Sequence, residues 1–485
     1  MDIRIKNGII RGMHECGCYA FKGIPFGKPP KNNRRFLPPE PCDDWFGAMD
    51  CTRYAPRPIQ LPPPWCLDKD SFIYSENCLQ LNVWTPAADE KKRPVMFNIF
   101  GGGHMEGSNS ESGSEGYRLA KNHDVVFVAP NYRVGAVGYL YLEHLLGEKY
   151  AASGNLGLLD LILALKWVRE NISAFGGDPD NVTIVGQSAG GKCVADLLVA
   201  PDAAGLFHKA VTMSGALQSI KDIETEKMLT KNFLSAMDLT EKDADKLLTC
   251  SAEEIINGQE TANKVYFKAE SYGATADGIT IPLNFEENLV SGNYNKVPLM
   301  MGHTKEELFP FPNSSAPQMS EEEVKAKFKW KFGNNWKIPF KYYQKRLDCH
   351  SPEIAYGMAA TRFTYTEAYM KCTKYFSKHM PVWLYRWDFQ GGLAANHSSD
   401  NEALFSRTNP EKQKFEPQAC KEMDCVFQQA VMQFVKCGNP NSEKIPNWEM
   451  YSAENPVRML FNSPSATEEF EIEQEEAFPL QTLTL

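Results

Sequence analysis

The sequence predicts an α/β fold class: a large, mostly parallel, twisted central sheet flanked by helices. Three observations predict it. Runs dense in β-branched residues are bounded by turn residues, as in Asp124–Pro130 (DVVFVAP) and Asn181–Gly186 (NVTIVG). Such runs are continuously apolar rather than alternating, which marks strands buried on both faces of a parallel sheet. Between them lie segments with apolar residues at helical spacing, such as Gly157–Phe175. The composition, 43% hydrophobic and 23% charged over 485 residues, is that of a globular protein. It excludes disordered, collagenous and coiled-coil classes.

The elements follow in order. The opening Met1–Gly8 alternates apolar and charged residues, as a strand running into a turn does. The first 90 residues are punctuated by Gly and Pro, which predicts short strands and ordered loops. Pro94–Phe100 is a strand that ends in three glycines, and Asp124–Pro130 is the next strand. Gly157–Phe175 is helix, Asn181–Gly186 strand, Ser188–Ala200 helix and Lys209–Met213 strand. Residues 223–293 read as mainly helical. Val297–Gly302 and Val382–Trp387 return to strand, and the basic, amphipathic stretch Ser320–Leu347 lies outside the sheet. Met423–Cys437 is a helix stopped at Gly438-Asn439-Pro440, and the acidic tail from Ser463 is expected as a surface segment. No repeat appears, so the expectation is a single domain over 1–485. Helical regions near 223–293 and 313–380 are expected to build part of a gorge and its flanking subdomains.

Charge and cysteine usage exclude further classes. The 51 Lys and Arg against 61 Asp and Glu give a net charge of −10. That opposes nucleic acid or an anionic membrane as partner, since phosphate binding needs clustered cations. Thirteen irregularly spaced cysteines include no C-x-x-C pair, and the nine histidines include no H-x-x-x-H or H-E-x-x-H. No metal site and no cofactor is expected. The N-terminus has no apolar signal segment, so a cytoplasmic protein with mostly reduced cysteines is expected, with secretion through a removed signal as the alternative. The four N-x-S/T sequons, at Asn171, Asn181, Asn313 and Asn396, are then chance matches. The sequence does not set an oligomeric state.

The most informative motif is Gly186-Gln187-Ser188-Ala189-Gly190. Chance supplies about 0.1–0.2 G-x-S-x-G matches in a chain this long. Here the pentapeptide joins a predicted strand to a predicted helix. A serine on so tight a turn needs neighbours without side chains, and the helix N-terminus favours negative charge developing beside it. A phosphate loop is the rival, because Gly186–Lys192 fits G-x-x-x-x-G-K. Cys193, however, stands where Ser or Thr would hold magnesium. The second motif, Phe100-Gly101-Gly102-Gly103-His104, exposes consecutive backbone N–H groups at a strand end, as a site for an oxyanion requires.

These motifs resemble those of the carboxylesterase/cholinesterase family of α/β-hydrolases, the type-B carboxylesterases. So do Phe21–Pro30 (FKGIPFGKPP) followed by Arg35-Phe36, Ser75–Trp84 (SENCLQLNVW), Asn131–Gly135 (NYRVG), Gly154–Asp160 (GNLGLLD), Phe175–Pro179 (FGGDP) and Met213-Ser214-Gly215. They run in family order to about residue 215, and more sparsely to about 460. The resemblance implies the α/β-hydrolase fold, with a small N-terminal sheet and helical insertions. It implies Ser188 as nucleophile, Glu307 as acid and His397 as base, in the chain order of that fold. Glu306 is the rival acid, and Leu308 replaces the glycine usual after the acid. Gly102, Gly103 and Ala189 are implied as oxyanion donors. Phe100, His104, Gln187, Phe309 and Phe311 are candidate pocket residues, with core packing the competing role for His104 and the two later phenylalanines. Gln187 stands where Glu is common, which weakens any case for a cationic substrate. The family's early disulfide would use Cys78, yet Pro58 occupies its partner's place, leaving Cys66, Cys51 or no bridge.

The implied activity is hydrolysis of small to medium apolar or aryl carboxylic esters by water through an acyl-enzyme. Lipase-like action and amide or carbamate cleavage are alternatives within the family. A non-catalytic binding or adhesion protein is the alternative from another class.

Overall fold

In the computed structural model the described residues are 1–62, 72–111, 115–265, 271–309, 319–407, 410–471 and 477–480. Their strands are β1 (Asp2–Ile5), β2 (Gly8–Arg11), β3 (Met13–Glu15), β4 (Cys18–Pro25), β5 (Ala48–Asp50), β6 (Gln80–Thr85), β7 (Arg93–Ile99), β8 (Val126–Pro130), β9 (Gly177–Gln187), β10 (Lys209–Met213), β11 (Leu299–Thr304), β12 (Val382–Trp387), β13 (Val457–Phe461) and β14 (Ala466–Glu469). β1, β2 and β5 form a small three-stranded sheet. The other eleven form one sheet in the order β14-β13-β12-β11-β10-β9-β7-β8-β6-β4-β3. From β8 to β13 every neighbouring pair is parallel, and antiparallel strands close both ends.

Alternate residues of the central strands feed two cores. Val95, Phe97, Val182, Ile184 and Leu299 pack on one face, against the helices Leu156–Asn171, Ala189–Val199 and Glu367–Phe376. Met96, Phe127, Val185, Val211 and Met300 pack on the other, against Tyr117–His123, Ser399–Leu404 and Pro417–Cys437. This two-sided burial is what continuous β-branched runs foretell. The helical stretch Glu148–Phe175 is apolar and long enough for a membrane span by composition, but 78% of its apolar 18-residue window is buried inside the fold, as in a core helix. Helix ends follow local chemistry. Asp222 caps Ile223–Ala236 by accepting from the Thr225 N–H at 2.7 Å. Gly438, in the left-handed region at φ 75°, closes Pro417–Cys437.

The acidic tail is at the surface over 463–471, as expected, but part of it joins the sheet. Ala466–Glu469 adds to the sheet edge as β14, with Glu468 accepting from the Arg458 guanidinium at 2.7 Å, and Phe478 is buried among helices. Its alternation is too short to announce a strand, and pairing with β13 supplies the hydrogen bonds. Cys51 and Cys78 are buried free thiols, so no bridge joins them, and Cys66 lies outside the described residues. Asn171 is committed to the fold, accepting from the Lys6 N–H and donating to the Trp167 carbonyl.

A buried clasp underlies the site. Arg133, just after β8, donates to both carboxylate oxygens of Asp160, at 2.8 and 2.7 Å, and its own N–H donates at 2.9 Å. Both side chains are almost completely buried. Two residues on, the Gly135 N–H donates to the His104 carbonyl, tying the clasp to the glycine loop. Removing one partner strands a buried charge. Asp160→Ala is therefore expected to cost about 3–5 kcal/mol of stability. Urea denaturation monitored by fluorescence checks this, and a loss under about 1 kcal/mol would contradict the role given to the clasp.

Candidate active site

β7 and β9 are neighbours, with Ile99 opposite Gly186, yet the chain leaves them in opposite directions across the sheet. Their carboxyl ends thus face the crevice at which open α/β sheets bind ligands. The glycine loop leaves β7 and Ser188 leaves β9. A side chain at Gly186 would stand 2.3 Å from the Gly190 backbone, and one at Gly190 would stand 2.1 Å from the Ile99 carbonyl oxygen. Neither fits, which is why the motif needs both glycines. The turn holds Ser188 at φ 57°, ψ −124°, a strained conformation for a residue with a Cβ. Its N–H donates to the Met213 carbonyl and its carbonyl accepts from Lys192.

Ser188, His397 and Glu307 stand in one hydrogen-bonded line. The His397 Nε2 is 2.9 Å from Ser188 Oγ, and its Nδ1 hydrogen-bonds Glu307 Oε2. A carboxylate can only accept, so Nδ1 carries the proton and Nε2 offers its lone pair to the serine hydroxyl. Glu307 is buried, whereas Ser188 and His397 are only partly so, and this leaves the line open at its serine end. Burial pushes the Glu307 carboxyl up, but His397, His303 and the Ser214 hydroxyl outweigh it and hold the group below the usual carboxylate range. The other Glu307 oxygen accepts from Ser214 Oγ at 2.6 Å and from the Thr304 N–H at 2.8 Å.

Glu306 points elsewhere. Its carboxylate accepts from the Gln390 amide and the Ala395 N–H, and so braces the loop that carries His397. In place of the missing glycine, the Leu308 N–H donates to Thr361 Oγ1. His303 is buried beside Glu307 with Nδ1 2.8 Å from the Thr304 carbonyl, and burial lowers its pKa to about 4.

The glycine loop lies against Ser188. A Cβ at Gly101 would be 3.3 Å from Ser188 Cβ, and Gly102, at φ 114°, has no room for one because the Glu106 carbonyl oxygen would be 2.1 Å away. Buried side chains fix the loop's return. Gln60 exchanges two 2.8 Å hydrogen bonds with Gly107, and Asn131 Oδ1 accepts from the Asn109 N–H at 2.8 Å. Such bracing holds N–H donors in place before any charge develops.

Of the pocket candidates, Phe100 and His104 are buried against neighbouring rings. The Phe100 ring stacks on Tyr132 with centroids 4.3 Å apart, and the Tyr132 hydroxyl donates to the Phe100 carbonyl. His104 is buried edge-on to Tyr139. Phe309 is half-buried against Gly357, and Phe311 lies outside the described residues. Gln187 does reach the reacting groups: its Nε2 is 3.2 Å from His397 Nε2. Sequence reasoning did not assign Ser214 or Tyr365 to the site. Ser214 sits in a quoted motif, but its partner is 93 residues away. Tyr365 packs its ring on His397 from a helix with no motif of its own.

Residues 1–478 match the Carboxylesterase family. The para-nitrobenzyl esterase of Bacillus subtilis (strain 168) is 33% identical over 475 residues, spanning 95% of this chain and 94% of that protein. The phenmedipham hydrolase of Pseudarthrobacter oxydans is 27% identical over 480 residues, spanning 95% and 94%. The crystal structure of the Geobacillus stearothermophilus carboxylesterase EST55 superposes with a TM-score of 0.85 at 33% identity, covering 96% of this chain and 97% of that one. Alike in sequence and in α/β-hydrolase fold along almost all of its length, this chain belongs to the carboxylesterase family and is a carboxylic ester hydrolase.

Proposed function

We propose that Ser188 is the nucleophile, His397 the general base and Glu307 the acid that orients it. The observation that carries this reading is the continuous hydrogen-bonded line from Ser188 Oγ through His397 to Glu307 beside the glycine loop. As Ser188 Oγ attacks the ester carbonyl, its proton passes to His397 Nε2. The carbonyl oxygen becomes an oxyanion, which the N–H groups of Gly102, Gly103 and Ala189 receive. Losing one such donor typically costs about 3–4 kcal/mol of transition-state stabilisation. The carbon–oxygen bond to the alcohol breaks, and His397 returns the proton to the departing oxygen. Water then attacks the acyl-enzyme by the same route and frees the acid.

Small to medium apolar or aryl esters suit this site best. Two uncharged side chains, Tyr365 and Gln187, stand beside His397, and the similar Bacillus protein is a para-nitrobenzyl esterase. The phenmedipham hydrolase relative supports carbamate cleavage as the second reading. A panel of nitrophenyl esters of increasing acyl length, beside matched aryl carbamates, tests both. Short-chain aryl esters are expected to be turned over fastest. A folded protein inactive on every ester would favour a non-catalytic binding role. A rate jump above the critical micelle concentration would favour a lipase.

A further inference from the structure

His397 has two close neighbours outside the triad. Gln187 Nε2 stands 3.2 Å from the same ring nitrogen that faces Ser188. The Tyr365 ring lies on the imidazole at a centroid distance of 5.2 Å and an angle of 37°. Tyr365 reaches this place from a π-helical turn, Arg362–Thr366, which interrupts the helix running from Pro352 to Phe376. The wider turn shifts the side chains that follow it, and such turns recur at functional sites. On one flank the Thr364 carbonyl accepts from Gln218, and on the other the Thr361 hydroxyl accepts from the Leu308 N–H, directly after Glu307. The turn that carries Tyr365 is therefore joined to the turn that carries the acid.

We propose that Gln187 and Tyr365 are positioning residues that set, with opposite sign, how readily His397 holds the proton it takes from Ser188; this rests on the triad reading above. The neutral imidazole has one lone pair at Nε2, which receives the Ser188 hydroxyl and, less closely, the Gln187 N–H. Once Nε2 is protonated, the Gln187 amide in this orientation faces a second donor and opposes the imidazolium. The face of an aromatic ring attracts a cation, so Tyr365 favours the imidazolium. The carboxylate usual at the position of Gln187 would favour it too. The other groups facing the ring are Glu307, bonded to Nδ1, and the buried Asp400, whose carboxylate accepts from the Tyr385 hydroxyl at 2.7 Å, with His303 beyond Glu307. Both carboxylates stay in place in the variants below, so they do not account for a difference between them.

The test is the acid limb of the kcat/KM profile on a short-chain nitrophenyl ester, with burst titration counting competent sites. Gln187→Glu is expected to move the limb up by about one pH unit, as a carboxylate within 4–6 Å of an imidazole does. Tyr365→Leu is expected to move it down by about half a unit, with a lower limiting rate, and Tyr365→Phe, which keeps the ring, to restore the wild-type limb. A Gln187→Glu profile that superimposes on the wild type, with full burst stoichiometry, overturns the role of Gln187. An unmoved Tyr365→Leu profile overturns that of Tyr365. If Tyr365→Leu does not fold, the isosteric Gln187→Glu alone decides. A wild-type protein that shows no Ser188-dependent burst would instead defeat the triad reading, which separates the two failures.

Discussion

Ser188→Ala is expected to lower kcat on a nitrophenyl ester by about 10⁶-fold. Without Oγ no acyl-enzyme forms, and the glycine loop is left with only its weak action on attack by water. The substitution isolates chemistry from folding. Alanine keeps a Cβ, so the strained φ of 57° persists, and the tight packing of Gly186 and Gly190 does not change. Thermal unfolding should therefore stay close to wild type. His397→Ala is expected to lose a similar factor, and the double variant hardly more, because nucleophile and base act as one unit. Steady-state rates corrected by active-site titration check this. Activity within about a hundredfold of wild type in Ser188→Ala would place the chemistry elsewhere.

Glu307→Gln is expected to lower kcat by about 10⁴-fold with little loss of fold. The magnitude follows from the proton inventory of the acid. Ser214 Oγ and the Thr304 N–H both donate to Oε1, so in the variant they retain the amide oxygen at that place. The amide nitrogen must then face His397 Nδ1. Two donors cannot share that contact, so the imidazole takes the tautomer protonated at Nε2 and has no lone pair left for Ser188. Glu306→Gln, one residue earlier, should lose less than about tenfold, since its carboxylate braces a loop and touches no reacting atom. Comparing kcat of the two variants on one ester checks this. A larger loss at 306 than at 307 would reverse the assignment.

Much of the molecule is legible in short windows of sequence. The strands Arg93–Ile99, Val126–Pro130, Lys209–Met213 and Val382–Trp387 stand within two residues of their β-branched runs. β9 is longer than its run, beginning at Gly177, because Gly177 pairs with Arg93 of β7 and an irregular stretch joins it to the regular pairing from Val182, with no apolar side chains to announce it. The strand–Ser188–helix turn is legible because backbone stereochemistry permits only glycine at 186 and 190. The strand in the tail was not legible, since β14 is held by its neighbour rather than by its own pattern. Phe100 and His104 likewise could be placed near the glycine loop from sequence, but whether a ring faces the substrate or the core depends on Tyr132 and Tyr139, which approach from elsewhere in the chain.

What the sequence determined by itself is the α/β class, the order of strand ends, and a serine, an acid region and a histidine on the turns that leave them. These depend on periodicity, turn chemistry and excluded volume, all of which act within a few residues. Only the tertiary structure set Glu307 rather than Glu306 against His397, brought Ser214 to Glu307, and set Gln187 and Tyr365 around the imidazole. Those choices depend on contacts across 32 to 210 residues, fixed by the register of parallel strands and the packing of helices on them. Hydrogen-bond direction and ring contact are short-ranged in space but unbounded in sequence, so no local pattern encodes them.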